Sequence, residues 1–199
     1  MNNYEYIIAS LPYLTHDYKY GEGMGFGDIV AEIRENLSER DKQALDHFLK
    51  GYDPKALDVA FYDKALSDKN RFMREYFRFD VLLRNAKVRY LNRELGRETD
   101  TDVLEGEWGD FDEAAKTEAI LGGKDLLARE KGLDDLCWDK IDSLALFHYF
   151  DLTAVLAYIA KLHIVDRWLS LDEEAGRELF RKLVAEVRGT FKGVQYNEQ

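Results

Sequence analysis

A chain of 199 residues with 46% hydrophobic and 34% charged side chains has apolar material for a sizeable core and is too apolar to remain disordered. Its net charge of −11 argues against binding nucleic acid, whose phosphates would repel it, and against docking on anionic lipid. The single cysteine, Cys137, permits no internal disulfide. No basic leader precedes the short apolar run YIIASL and no stretch approaches bilayer length, so a soluble, cytoplasmic protein is expected.

Read in chain order, the opening NYEYIIASLPYL is compatible with a short strand or a helical turn. YGEGMGFGDI follows, with glycines at 21, 23, 25 and 27. A phosphate loop needs Gly-Lys-Ser/Thr at its end, and this stretch continues Asp28-Ile29-Val30. The dinucleotide spacing fails as well, because Phe26 or Asp28 falls where the third glycine belongs. The glycines therefore read as a turn into a helix, with Asp28 as its N-cap.

From residue 28 onward apolar residues recur at intervals of three and four, which predicts helices over 26–36, 38–50, 54–66, 68–96, 112–121, 124–147, 152–169 and 171–189. Ser38 with Asp41 and Ser170 with Glu173 have capping-box spacing, Asp53-Pro54 reads as a helix start, and Asp151 as the cap of the helix after it. The expected fold is all-α, a multi-helix bundle with a long central helix and a C-terminal helical hairpin. It reads as a single helical domain, with an N-terminal helical part (1–97), an acidic linker (98–111) and a C-terminal helical part (112–199).

On the long helix, Arg71, Arg74, Arg78, Arg89 and Arg93 fall within about a quarter of the circumference. Apolar residues including Phe72, Met73, Phe77, Leu83, Tyr90, Leu91 and Leu95 cover much of the rest. The stripe reads either as a solvated face neutralised by the acidic segment after it or as a docking edge for an acidic partner. Chemistry is harder to find. His16, His47, His148 and His163 are scattered, with no zinc or di-iron spacing, and His148 and His163 lie among apolar residues as packed histidines do. Asp135, Asp139 and Asp142 share one helical face that reads as solvated, and Cys137 reads as a small buried hydrophobe. No catalytic residue, cofactor or metal is expected. A small helical enzyme would instead reveal itself by a cleft holding a histidine with a shifted pKa.

The C-terminal third carries a more specific pattern: Trp138, Phe147-x-Tyr149-Phe150, Lys161-Leu162, Ile164-Val165, Arg167-Trp168, Leu171-Asp172, Gly176 and Phe180. It resembles the end of an uncharacterised bacterial family, best known from Bacteroidetes, whose genes lie among those for V-type ATPase subunits. The opening YIIASLPYL resembles that family's start. The family in turn looks distantly like the C/d-type component of V/A-type ATPases, an all-helical socket between rotor stalk and membrane ring. The resemblance implies a non-catalytic coupling or accessory role, with stalk or membrane-ring subunits as partners and attachment at the inner membrane only through that complex. For such a role the arginine stripe is one candidate partner edge and exposed aromatics are another. A regulatory helical module unrelated to ATPases is the remaining alternative. The pattern itself reads as packing, with Phe147 and Phe150 closing one helix and Ile159, Leu162 and Trp168 continuing a buried face.

Overall fold

A computed structural model describes residues 3–171 together with Arg181 and Val184. Among these the regular structure is wholly helical: α1 (Tyr4–Ser10), α2 (Phe26–Glu35), α3 (Glu39–Lys50), α4 (Val59–Leu66), α5 (Arg71–Glu94), α6 (Ala114–Leu121), α7 (Leu126–Ala145) and α8 (Leu152–Leu169). The multi-helix bundle with a long helix and a C-terminal hairpin is as expected. Of the helix predicted over 171–189, only Leu171, Arg181 and Val184 are described, and the last two are helical; Glu173, Gly176 and Phe180 lie outside the described residues.

Local chemistry sets the helix starts. The Asn3, Ser38, Asp58, Asn70, Asp125 and Asp151 side chains each accept a backbone N–H from the first turn of the helix they precede. The YEYIIAS segment thus begins a helix, not a strand. Two expectations need correction. Gly25, not Asp28, occupies the N-cap of α2, and Asp28 sits three residues on, taking the Gly25 N–H at 2.8 Å. Asp53-Pro54 does not open α4: its carboxylate takes the Lys55 N–H at 3.0 Å and its carbonyl the Ala56 N–H at 2.9 Å, closing a turn. The helix waits for Asp58.

Helix α8 is the axis of the packing. Val155, Leu156, Ile159, Ala160, Leu162 and Val165 are almost fully buried, so its apolar surface extends round the helix, not along one stripe. It touches α1, α2, α3, α5 and α7. The longest helix, α5, packs on α4, α6, α7 and α8. Its Phe72 and Phe77 enter an aromatic cluster with Phe48, Phe61 and Tyr76, with ring centroids 5.0–6.1 Å apart where they pair. Gly51 ends α3 against that cluster, where a β-carbon would stand 2.4 Å from the Phe77 ring. Phe79, Leu83 and Tyr90 of α5 build a second, smaller core with Leu121, Leu133 and Leu136. Leu91 and Leu95, expected to pack, are instead exposed.

The acidic segment between α5 and α6 is a strap along α5. The Asn92 amide donates to the Thr99 and Thr101 carbonyls, at 3.0 and 2.7 Å. The Asn85 amide donates to the Leu104 carbonyl at 2.9 Å and accepts the Leu104 N–H at 3.0 Å. Both asparagines are buried, and these backbone groups are what satisfy them. The strap delivers Trp108 into the main core, edge-on to Tyr62 with centroids 5.9 Å apart and its indole N–H on the Leu104 carbonyl. Gly106 lies flat against that indole, where a β-carbon would come within 2.2 Å of the ring.

Trp108→Ala should therefore lose about 3–5 kcal/mol of unfolding free energy in chemical denaturation, with Gly106→Ala also destabilising. Arg89→Ala, which breaks only a half-exposed ion pair on the same strap, should cost at most about 1 kcal/mol.

Candidate functional site

Antiparallel α7 and α8 are held together by polar groups set into an otherwise apolar contact. Asp134 is 8% exposed. Its carboxylate accepts the Trp168 indole N–H at 2.6 Å and a guanidinium N–H of Arg167, which also bonds Glu130 at 3.0 Å. Burial works against the charge of Arg167, but the bonds to Glu130 and Asp134 outweigh it and raise its pKa. Further along the pair, Trp138 contacts His16, stacked at 4.2 Å, and the Lys161 ammonium, 4.8 Å from its ring centre. Lys161 also pairs with Asp142. Trp138, Lys161, Arg167 and Trp168 of the C-terminal pattern are thus the parts of one clasp.

The other half of the pattern does not pack. At the turn between α7 and α8, Leu146, Phe147, Tyr149 and Phe150 are 61%, 78%, 66% and 56% exposed. This overturns the expectation that Phe147 and Phe150 close a buried helix end. The backbone explains the geometry: Leu146 has φ −56° and ψ 128°, Phe147 has φ +69°, and the His148 N–H bonds the Ala145 carbonyl at 2.9 Å. These angles describe a type II turn with phenylalanine where glycine is favoured, a conformation that costs a bulky L-residue about 1–2 kcal/mol. After the turn, His148 Nδ1 lies 2.6 Å from the Asp151 carboxylate, which also caps α8 through the Ala154 N–H.

The elbow forms one wall of a groove of about 710 Å³. The opposite wall is the end of α1 and the chain after it, Ile8, Leu11, Pro12, Tyr13 and Leu14. This wall is tied to α8 where the Tyr158 hydroxyl donates to the Pro12 carbonyl at 3.0 Å. Tyr13 is 87% exposed. Of the charged groups along the groove, Asp142 pairs with Lys161.

The arginine stripe is tied into the molecule. Arg74 donates to the Asp68 and Lys69 carbonyls, at 2.7 and 3.0 Å. Arg78 pairs with Glu75 at 3.2 Å, Arg89 with Asp100 at 2.7 Å and Arg93 with Glu118 at 2.5 Å. Arg71 is exposed at the start of α5. The acidic strap and α6 thus supply counter-ions to the distal half of the stripe, leaving these guanidinium groups near half exposure.

The remaining polar residues are placed as follows. Asp139 pairs with Lys116, and Asp135 faces His16 at 3.8 Å; with Asp142 they are exposed carboxylates on one face of α7. Burial pushes the Cys137 thiol up to about 12, leaving it protonated. His163 is stacked on Tyr52 at 3.7 Å with Phe26 edge-on, and burial lowers its pKa. His47 lies beside Phe61 in a separate polar groove, its pKa lowered by burial and by Lys64, and its Nε2 is buried without a hydrogen-bond partner. It meets the histidine-in-a-cleft criterion in part, yet no hydroxyl or carboxylate bonds that nitrogen as a nucleophile–base pair would require. Among the described residues no group of three His, Cys, Asp or Glu side chains could hold a metal ion, and no helix is long and apolar enough to cross a membrane.

A family model described as a protein of unknown function, DUF2764, matches residues 109–190, less than half of the chain. The matched region begins just after Trp108 and takes in α6, the α7–α8 clasp and the elbow. No curated protein and no solved structure matches.

Asp134→Ala leaves an indole N–H and a guanidinium without their buried acceptor and should destabilise by about 2–3 kcal/mol in urea denaturation. The lowered pKa of His163 means that below pH about 6.5 the unfolded chain takes up a proton before the folded one does. Stability should fall with pH from that point down to the folded-state pKa, with a slope of at most about 1.4 kcal/mol per pH unit for one proton. His163→Phe, which keeps the stack on Tyr52, should flatten that part of the dependence in denaturation curves between pH 7.5 and 5.5. His47 contributes a slope of the same sign in both proteins.

Proposed function

We propose that this chain is a non-catalytic coupling or accessory subunit of a V-type ATPase. In this reading it docks through the aromatic elbow between α7 and α8 onto a component of the stalk or the membrane ring. The observation that carries the docking half is the elbow itself. Four large apolar side chains are displayed to solvent on a strained turn, at the end of a hairpin whose second helix buries Val155, Leu156, Ile159 and Leu162. Backbone strain and exposed aromatics together run against stability and solubility, so their coincidence marks an interaction surface. Aromatic anchors over a rigid helical pair are what helical docking surfaces use to gain affinity without ordering cost.

The choice of partner rests on the resemblance of the Trp138-to-Trp168 pattern to a family encoded among V-type ATPase subunits. The arginine stripe is a secondary edge in this reading: its guanidinium groups remain near half exposure beside their internal counter-ions and can add contacts to an acidic partner surface. Catalysis of ATP hydrolysis would belong to other subunits.

Tagged protein drawn from its native membrane extract should bring stalk or ring subunits with it. Phe147→Gly should raise unfolding free energy by about 0.5–1 kcal/mol, because glycine accepts the turn without strain, while reducing that capture at least ten-fold when combined with Tyr149→Ser. Capture that survives the elbow change but fails with Arg74, Arg78 and Arg89 changed to glutamate would move the docking edge to the stripe. Recovery of free monomer alone, with the ATPase subunits present in the extract, would overturn the assignment.

A further inference from the structure

A second groove of about 810 Å³ lies away from the elbow, between α3, the end of α4 and the starts of α5 and α8. Three cations line it: Arg40 in the first turn of α3, Lys64 in the last turn of α4, and Lys69 before the cap of α5. All three are exposed and none forms an ion pair among the described residues, although the chain as a whole carries a net charge of −11.

Three carboxylates, Asp41, Asp68 and Asp151, also line the groove and match the cations in number, but each is engaged in hydrogen bonds within the protein. Asp41 accepts the Tyr4 and Ser38 hydroxyls, each at 2.8 Å. Asp68 takes the Asn70 N–H at 2.7 Å, and Asp151 is shared between the Ala154 N–H and His148. The starts of α3 and α8, the cap residue of α5 and the end of α4 line the groove, so positive helix ends there outnumber the one negative end. His47 also lines it, with the buried Nε2 that has no hydrogen-bond partner.

We infer that this groove binds a multivalent phosphate group, either free or carried on a small organic molecule. Arg40, Lys64 and Lys69 supply charge from three different segments of the groove's lining, and a phosphate offers several acceptor oxygens to divide among them. A neutral His47 is suited to the same ligand, since its Nε2 can donate to a phosphate oxygen or accept from a phosphate hydroxyl according to tautomer. The volume exceeds what one phosphate fills, which favours a diphosphate or a phosphorylated small molecule over a single ion. This inference is independent of the elbow and of the partner proposed for it.

Thermal unfolding is followed with sodium pyrophosphate in one arm and fructose 1,6-bisphosphate in the other, each against sodium chloride of equal ionic strength. At ten times its dissociation constant the bound phosphate should raise the melting temperature by about 3–5 °C above the chloride control. The triple variant Arg40→Gln, Lys64→Gln, Lys69→Gln changes only exposed side chains. It should keep the wild-type circular dichroism spectrum and lose at least two thirds of the rise, which separates site binding from the general stabilisation that phosphate salts give proteins. A larger rise with pyrophosphate identifies an inorganic ligand, and a larger one with the bisphosphate an organic phosphate. If neither arm exceeds chloride, or the triple variant shows the full rise, the inference is overturned. A single-site check by nuclear magnetic resonance should show the His47 ring signals moving with the same dissociation constant. Titration that leaves those signals in place would also count against the site.

Discussion

An apolar helix with almost no free side dictates the arrangement of everything around it. Helix α8 buries residues around its circumference, so it cannot sit at the surface of a bundle as an amphipathic helix does. Each neighbour must offer it an apolar stripe, and α1, α2, α3, α5 and α7 all do. This also accounts for the long-range polar ties that converge on it, from the Tyr20 hydroxyl to Asp166 at 2.9 Å and from the Tyr158 hydroxyl to the Pro12 carbonyl at 3.0 Å. Both tyrosines bury ring area against the core and keep one polar atom satisfied, which suits the boundary between α8 and the loops that cover it. The elbow and the polar groove both lie where that coverage ends near the start of α8.

Several deeply placed polar groups fasten segments that would otherwise be free. Asn85 and Asn92 hold the strap to α5, and Asp134 holds α7 to α8. Tyr62 donates to Asp80 at 2.6 Å, joining α4 to α5, and burial raises the pKa of that carboxyl. Such bonds contribute little net free energy when complete and are costly when broken. Their effect is to select one packing of the helices over others of similar hydrophobic content.

Helix positions and several caps are legible in the sequence because they depend on residues a few positions apart. Ser38 with Asp41 and Asp151 at the start of α8 behave as their spacing implies. Asp28 and Asp53-Pro54 mislead because the same residue types also serve one turn inside a helix or close a turn before one, and local sequence does not separate these uses. What the local pattern does not disclose is which polar residue faces inward. Asp135, Asp139 and Asp142 stand out as a set, yet Asp134 is the buried one; a signal is present, since it falls three and seven residues before Cys137 and Ile141, on the apolar face. Phe147, Tyr149 and Phe150 read as core because aromatics usually are, and only the backbone of the turn sends them outward. The arginines of α5 stand as a stripe in the sequence, but their partners Asp100 and Glu118 come from the strap and α6, whose docking no periodicity encodes.

The clasp and the elbow divide the hairpin into a part that determines shape and a part that determines what is shown. Asp134, Arg167 and Trp168 are locked to one another, as Trp138 is to His16 and Lys161, and tolerate little change, whereas the elbow is defined by a four-residue backbone turn and its side chains are mostly exposed. Substitutions at Phe147, Tyr149 and Phe150 are therefore free to accumulate without loss of the fold. Under the docking role proposed for the elbow, lineages carrying the same clasp can diverge there, so that co-variation with another protein should concentrate in this loop while the rest of the hairpin stays constant.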